Sequence, residues 1–111
     1  MIIIKKNNHY MYMPKLIKVI KSDVKGKKLS AYFDIGGGKE KKVNFGDSNA
    51  ISDYTTGASD EKRASYRARH SKGKGSLSAP MTPKSLSYYI LWGNSRSRTA
   101  NISSFKKRFN L

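Results

Sequence analysis

The sequence predicts an α+β fold: a small three-stranded antiparallel meander over about residues 15–46, followed by three short helices at about 59–71, 83–92 and 99–109. Three observations carry this reading. Leu29, Ala31, Phe33 and Ile35 alternate with Ser30, Tyr32 and Asp34, the two-residue period of a half-buried strand. Gly36-Gly37-Gly38 supplies a hairpin loop, after which Val43 and Phe45 resume the period. Beyond Ser59 the apolar spacing becomes helical, with cap residues and a charge order that suit helix ends.

Residues 1–13 have no steady period, and Lys5-Lys6-Asn7-Asn8 interrupts the apolar start, so they are read as an N-terminal arm or edge strand ahead of a single basic domain over 14–111. After Pro14, the β-branched cluster Leu16, Ile17, Val19 and Ile20 favours a strand, although positions 16, 17 and 20 also share a helical face. Val24-Lys25-Gly26-Lys27 reads as a turn. The triple glycine lacks the spacing of a phosphate-cradling loop and leads into a strand, which argues against that function.

The stretch from Gly46 to Ala58 is rich in Gly, Asp, Ser, Asn and Thr and predicts an irregular connection. Ser59 caps the first helix, Asp60 and Glu61 sit in its first turn, and Arg69 and His70 close it; with little apolar content it packs shallowly and turns Lys62, Arg63, Arg67 and Arg69 outward. Ser71 to Met81 reads as a mobile basic loop with little to bury. Thr82-Pro83 starts the second helix, and Gly93 is suited to end it in the left-handed conformation. The last helix aligns Ile102, Phe105 and Phe109 in one stripe and carries Lys106, Lys107 and Arg108 at its carbonyl end.

Composition bounds the function. The 111 residues carry 23 Lys plus Arg against 7 Asp plus Glu, a net charge of +16, and no cysteine. A disulfide framework, a thiolate metal site and a cysteine nucleophile are thereby excluded. The apolar start Met1–Ile4 is too short to span a bilayer and lacks the order of a signal peptide, which predicts a soluble, non-secreted protein. All seven carboxylates precede Lys62, whereas 62–111 holds twelve basic residues and no Asp or Glu. A stretch that cannot neutralise its own charge predicts an acidic partner.

The partner-binding set read from that asymmetry is Lys62, Arg63, Arg67, Arg69, Lys72, Lys74, Arg96, Arg98, Lys106, Lys107 and Arg108. Tyr88 and Trp92, four apart on one helix face, form a candidate aromatic interface. Asp47, Asp53, Asp60, Glu61 and His70 are the groups a hydrolytic metal site would draw on. The reading adopted is that the aspartates cap turns and a helix while His70 complements a helix end, with no catalytic, cofactor or metal site and no small-molecule substrate. Asp53, Tyr54 and Arg69 are instead read as a structural lock, in which Asp53 pairs with an arginine and Tyr54 packs under the first helix.

Phe45-Gly46, Ser52-Asp53-Tyr54-Thr55, Asp60 through Arg63, Tyr66 and Arg69-His70, then Leu86-Ser87, Ile90-Leu91-Trp92-Gly93, Thr99, Ile102 and Lys107-Arg108-Phe109 together form a pattern. It resembles a family of small uncharacterised basic proteins encoded by large DNA viruses of algae and protists, over Phe45 to Phe109. That family's pattern has a His shortly after the Asp-Tyr-Thr element, where this chain has Thr56-Gly57-Ala58, so no role of that His carries over. The resemblance implies a viral protein and a virion component.

Two functions are weighed on this basis. The first is a non-enzymatic structural protein, a minor capsid component that bridges larger coat proteins or other virion components and passes through host cytoplasm or nucleus before assembly. The alternative is non-specific nucleic-acid binding for genome packaging, since no sequence-reading motif is present.

Overall fold

The computed structural model describes residues 2–6, 9–50, 52–72 and 77–111, with side-chain surroundings from Met13 onward. Its centre is the predicted meander: β3 (Lys15–Lys21), β4 (Lys27–Gly36) and β5 (Lys39–Asp47), antiparallel in the order β3-β4-β5. Leu29 faces Phe45 and Ala31 faces Val43, so the apolar positions of β4 and β5 fall in cross-strand pairs on one face. Leu16 joins them opposite Phe33. The register then slips between Leu16 and Lys18, a bulge that leaves Ile17 48% exposed.

Gly36, Gly37 and Gly38 all take positive φ, the conformation that closes the β4–β5 hairpin and that side-chain-bearing residues resist. A second irregularity lies between Asp34 and Gly36. It corrects the expectation for Ile35, which is 37% exposed instead of continuing the inward row.

Before the meander, β1 (Ile2–Lys6) pairs antiparallel with β2 (His9–Met13), Ile2 opposite Met13. A two-stranded antiparallel pair therefore stands where an arm or an edge strand was expected. Among the described residues no helix is long and apolar enough to cross a membrane.

Three helices follow the sheet. In α1 (Asp60–Ser71) the Ser59 hydroxyl accepts the Lys62 amide at 3.1 Å, and no residue of the helix is buried. The second helix opens as α2 (Pro83–Leu86), with the Thr82 hydroxyl accepting the Ser85 amide at 3.2 Å, and runs on as a π turn (Ser87–Leu91). The third is α3 (Arg98–Phe109), capped by Ser97 and closed at Asn110 with φ 60°. Leu86, Ile90 and Leu91 from the second helix and Phe105 from α3 are at most 1% exposed and complete a core with Leu16, Leu29, Ala31, Phe33, Val43 and Phe45. Burying each of these side chains other than Ala31 contributes about 1.5–3 kcal/mol.

The loop between α1 and α2 was expected to bury little. Residues 73–76, and with them Lys74, lie outside the described residues. Past them Met81 packs against the core and the Thr82 hydroxyl donates to the Ala79 carbonyl at 2.9 Å, so this end of the loop is fastened down.

Candidate functional site

The carboxyl end of the π turn is where the second half of the chain meets. An i→i+5 bond, Trp92 N–H to the Ser87 carbonyl at 3.1 Å, leaves neighbouring carbonyls without the partners a regular helix would give them. Asn101, 3% exposed, fills the gap from α3: its amide nitrogen donates to Ile90 O at 2.8 Å and Ser95 O at 2.7 Å, and its oxygen accepts Ser95 N–H at 3.0 Å. Gly93 lies against it. A Cβ there would stand 2.1 Å from Tyr89 O and 2.9 Å from Asn101 Cγ, so glycine is required by close approach. Its φ is not positive, which corrects the expectation of a left-handed helix end.

Arginines cap the remaining carbonyls. Arg63 and Arg67 are four apart on α1 and so project from one face. Arg63 donates to Gly93 O and to Asn94 Oδ1, both at 2.8 Å; Arg67 donates to Trp92 O at 2.9 Å and Tyr88 O at 3.3 Å while its guanidinium lies 4.0 Å over the Tyr88 ring. Burial draws the Arg67 pKa down, Arg63 and Arg108 add to that, and Tyr88 and Tyr89 oppose it; an arginine keeps its charge regardless. The expected outward projection of Arg63 and Arg67 is thus reversed, because a flat multi-donor guanidinium is well matched to several carbonyl oxygens at once.

The Asp53 lock exists with different partners. Asp53, 1% exposed, accepts Lys28 Nζ at 2.8 Å and the Thr55 amide at 2.7 Å, with Arg98 at 3.7 Å; Arg69 is not among its partners. Burial pushes the Asp53 carboxyl up, but the hydrogen bonds from Lys28 and Thr55 and the Lys28 charge outweigh it and hold the carboxyl below the usual carboxylate range. Tyr54 lies between the guanidiniums of Arg96 at 4.2 Å and Arg63 at 5.2 Å, and its hydroxyl donates to Asp60 at 2.9 Å. Arg96 also donates to Tyr54 O at 3.2 Å and Ala58 O at 3.0 Å.

Of the eleven cations read as partner-binding, Lys62, Arg69, Lys72, Lys107 and Arg108 are exposed without an ion pair, while Lys106 is half-buried. Arg63, Arg67 and Arg98 are half-buried and Arg96, though at the surface, is bonded inward. The aromatic interface is corrected too. Tyr88 is 8% exposed beneath Arg67, and Trp92 is half-buried in a ring stack, 4.4 Å from Tyr66, which in turn lies 3.8 Å from His70.

That stack borders a cleft of about 380 Å³ between the sheet end and the helices, lined by Lys28, Asp47, Asp53, Tyr66, Arg69, His70, Ser87 and Trp92 among others. It opens toward Gly26, Lys27, Pro83 and Lys84. His70 Nδ1 lies 2.8 Å from the Tyr66 carbonyl, which can only accept, so Nδ1 donates in this bond. Burial raises the Tyr66 hydroxyl pKa against the lowering effects of its Ser87 hydrogen bond and the Arg69 charge. Among the described residues no three His, Cys, Asp or Glu converge as metal ligands. Lys28 and Arg69 match Asp47 and Asp53 in number within the cleft, and Lys27 and Lys84 at its mouth tip the count toward cations, which suits it to anions. Lys28, Asn101 and the cleft itself were missed in the sequence; the i, i+4 spacing of Arg63 and Arg67 was the one signal of their shared role.

Residues 17–70 match the model of a family described as a family of unknown function (DUF5754), which takes in the meander from Ile17 onward and α1 up to His70. The match overlaps the stretch of the sequence resemblance only from Phe45 to His70. Uncharacterized protein L851 of Acanthamoeba polyphaga mimivirus is 43% identical over 81 residues, 68% of this chain and 80% of that protein. No solved structure matches the chain. With this identity over most of a mimivirus protein, the chain belongs to a family of uncharacterised proteins of large DNA viruses.

Proposed function

We propose that the protein is a non-enzymatic structural component of a virus particle, a minor capsid piece that joins larger coat proteins by seating a cationic surface on their acidic faces. The observation that carries the reading is the outer strand β3. Lys15, Lys18 and Lys21 are exposed there together with Ile17 at 48% and Ile20 at 43%. Aliphatic side chains among lysines suit a protein surface that buries the former and pairs the latter, whereas phosphate contacts need no aliphatic neighbours.

Charge accounting supports the same reading. Among the described residues three carboxylates form ion pairs, Asp23 with Lys42, Asp53 with Lys28 and Arg98, and Asp60 with Arg96. Backbone carbonyls orient Arg63 and Arg67 without cancelling their charge. The surplus favours association with an acidic surface.

Purified particles of the virus that encodes it are the test. The protein is expected at a fixed ratio to the coat protein, with assembly impaired when its gene is deleted; absence from mature particles would contradict the reading. Genome packaging is the second reading, favoured by the carboxylate-free stretch that keeps Lys62, Lys72, Lys107 and Arg108 exposed. It requires DNA affinity that falls with salt by about 0.9 logarithmic units per phosphate neutralised, measurable by filter binding.

A further inference from the structure

The geometry points to a binding site for a phosphomonoester in the cleft between the sheet end, α1 and the π turn, with Arg69 as its principal anchor. Arg69 stands apart from the other arginines. Arg63, Arg67, Arg96 and Arg98 donate to oxygen acceptors and Arg108 lies 4.7 Å over the Tyr89 ring, whereas Arg69 has no hydrogen bond, ion pair or ring partner among the described residues. It is on the cleft wall beside His70. A guanidinium left open there offers the planar pair of N–H donors that fits two oxygens of one phosphate.

The neighbouring groups extend the same chemistry. Lys27 and Lys84 lie at the mouth and Lys28 at the back. Lys28 and the buried Asp53 offset one another, so Asp47 at the rim is the remaining carboxylate facing these cations. Arg69 and Lys27 then leave a net positive charge against Asp47. The hydroxyls of Tyr66 and Ser87 add donors able to bond phosphate oxygens. Trp92, Tyr66 and Leu91 give one side of the cleft an aromatic and aliphatic surface on which the organic part of an ester can rest. The volume of about 380 Å³ lies within the range of small-ligand pockets.

Trp92 is the sole tryptophan, so its emission reports occupancy of the cleft directly. The purified full chain is titrated with inorganic phosphate and with phenyl phosphate at constant ionic strength, sodium chloride serving as the ionic control. Both phosphates are expected to give a saturable change in Trp92 emission, phenyl phosphate at lower concentration, and chloride none. Arg69→Gln is expected to weaken both phosphates by about tenfold or more without lowering the melting temperature, since among the described residues it breaks no hydrogen bond or ion pair. Lys39→Gln, an equal loss of charge at the far hairpin, is expected to leave both affinities unchanged. A signal that does not saturate, affinity untouched by Arg69→Gln, or equal weakening by Lys39→Gln would each overturn the site. Binding of inorganic phosphate with no gain for phenyl phosphate would overturn the ester assignment.

Discussion

Residues 62–111 hold six arginines and six lysines, and the fold uses the two sets differently. Four arginines reach inward to oxygen acceptors, fastening the Asp53 loop and the end of the π turn, while Lys62, Lys72 and Lys107 stay exposed. Both carry one positive charge, so charge does not account for the division. A guanidinium offers five N–H donors in a plane and is weakly hydrated, whereas an ammonium is compact and strongly hydrated. A basic composition therefore overstates the basic surface available to a partner, and the arginine fraction belongs in good part to the fold.

The comparison breaks most visibly at the carboxylate that gathers cations inside. Asp53→Ala removes the buried carboxylate that Lys28 and Arg98 face and is expected to cost about 3–5 kcal/mol. For a domain of this size the melting temperature falls by more than about 10 °C. An unchanged melting temperature would remove the lock.

Acid sharpens the same point. The Asp53 carboxyl titrates below its unfolded value of about 3.9, so its contribution is fully present above that pH and is lost as pH falls through the lower folded value. Urea midpoints for the native chain should drop across that interval, and the drop should be smaller in Asp53→Asn. At the other extreme, Lys107→Gln on the exposed face of α3 is expected to change stability by less than about 0.5 kcal/mol in urea unfolding. A larger loss would mean that outer lysines also hold the fold.

The sheet was legible because its period of two is local, and the first two helix starts because Ser59 and Thr82 sit next to the amides they cap. Residues 2–6 and 9–13 pair as antiparallel strands that no alternation announces, since Lys5 and Lys6 interrupt the apolar run. The π turn was hidden for a different reason. It depends on Asn101, which reaches back 11 residues to Ile90, and on Arg67, 25 residues before Trp92. The partner of Asp53 was likewise set by β4, 25 residues earlier, where Lys28 gives no local sign of turning inward. Tyr88 read as an interface residue because its helical face was visible in the sequence, while the Arg67 side chain that covers it was not.

Arg67→Lys tests the division between arginine and lysine most directly, because it keeps the charge and removes the flat guanidinium that lies over the Tyr88 ring while its Nη1 donates to both Tyr88 O and Trp92 O. In urea unfolding the variant is expected to lose about 1–2 kcal/mol. A midpoint equal to that of the native chain would mean that any cation suffices at this position, and the structural role assigned to the arginines would fail.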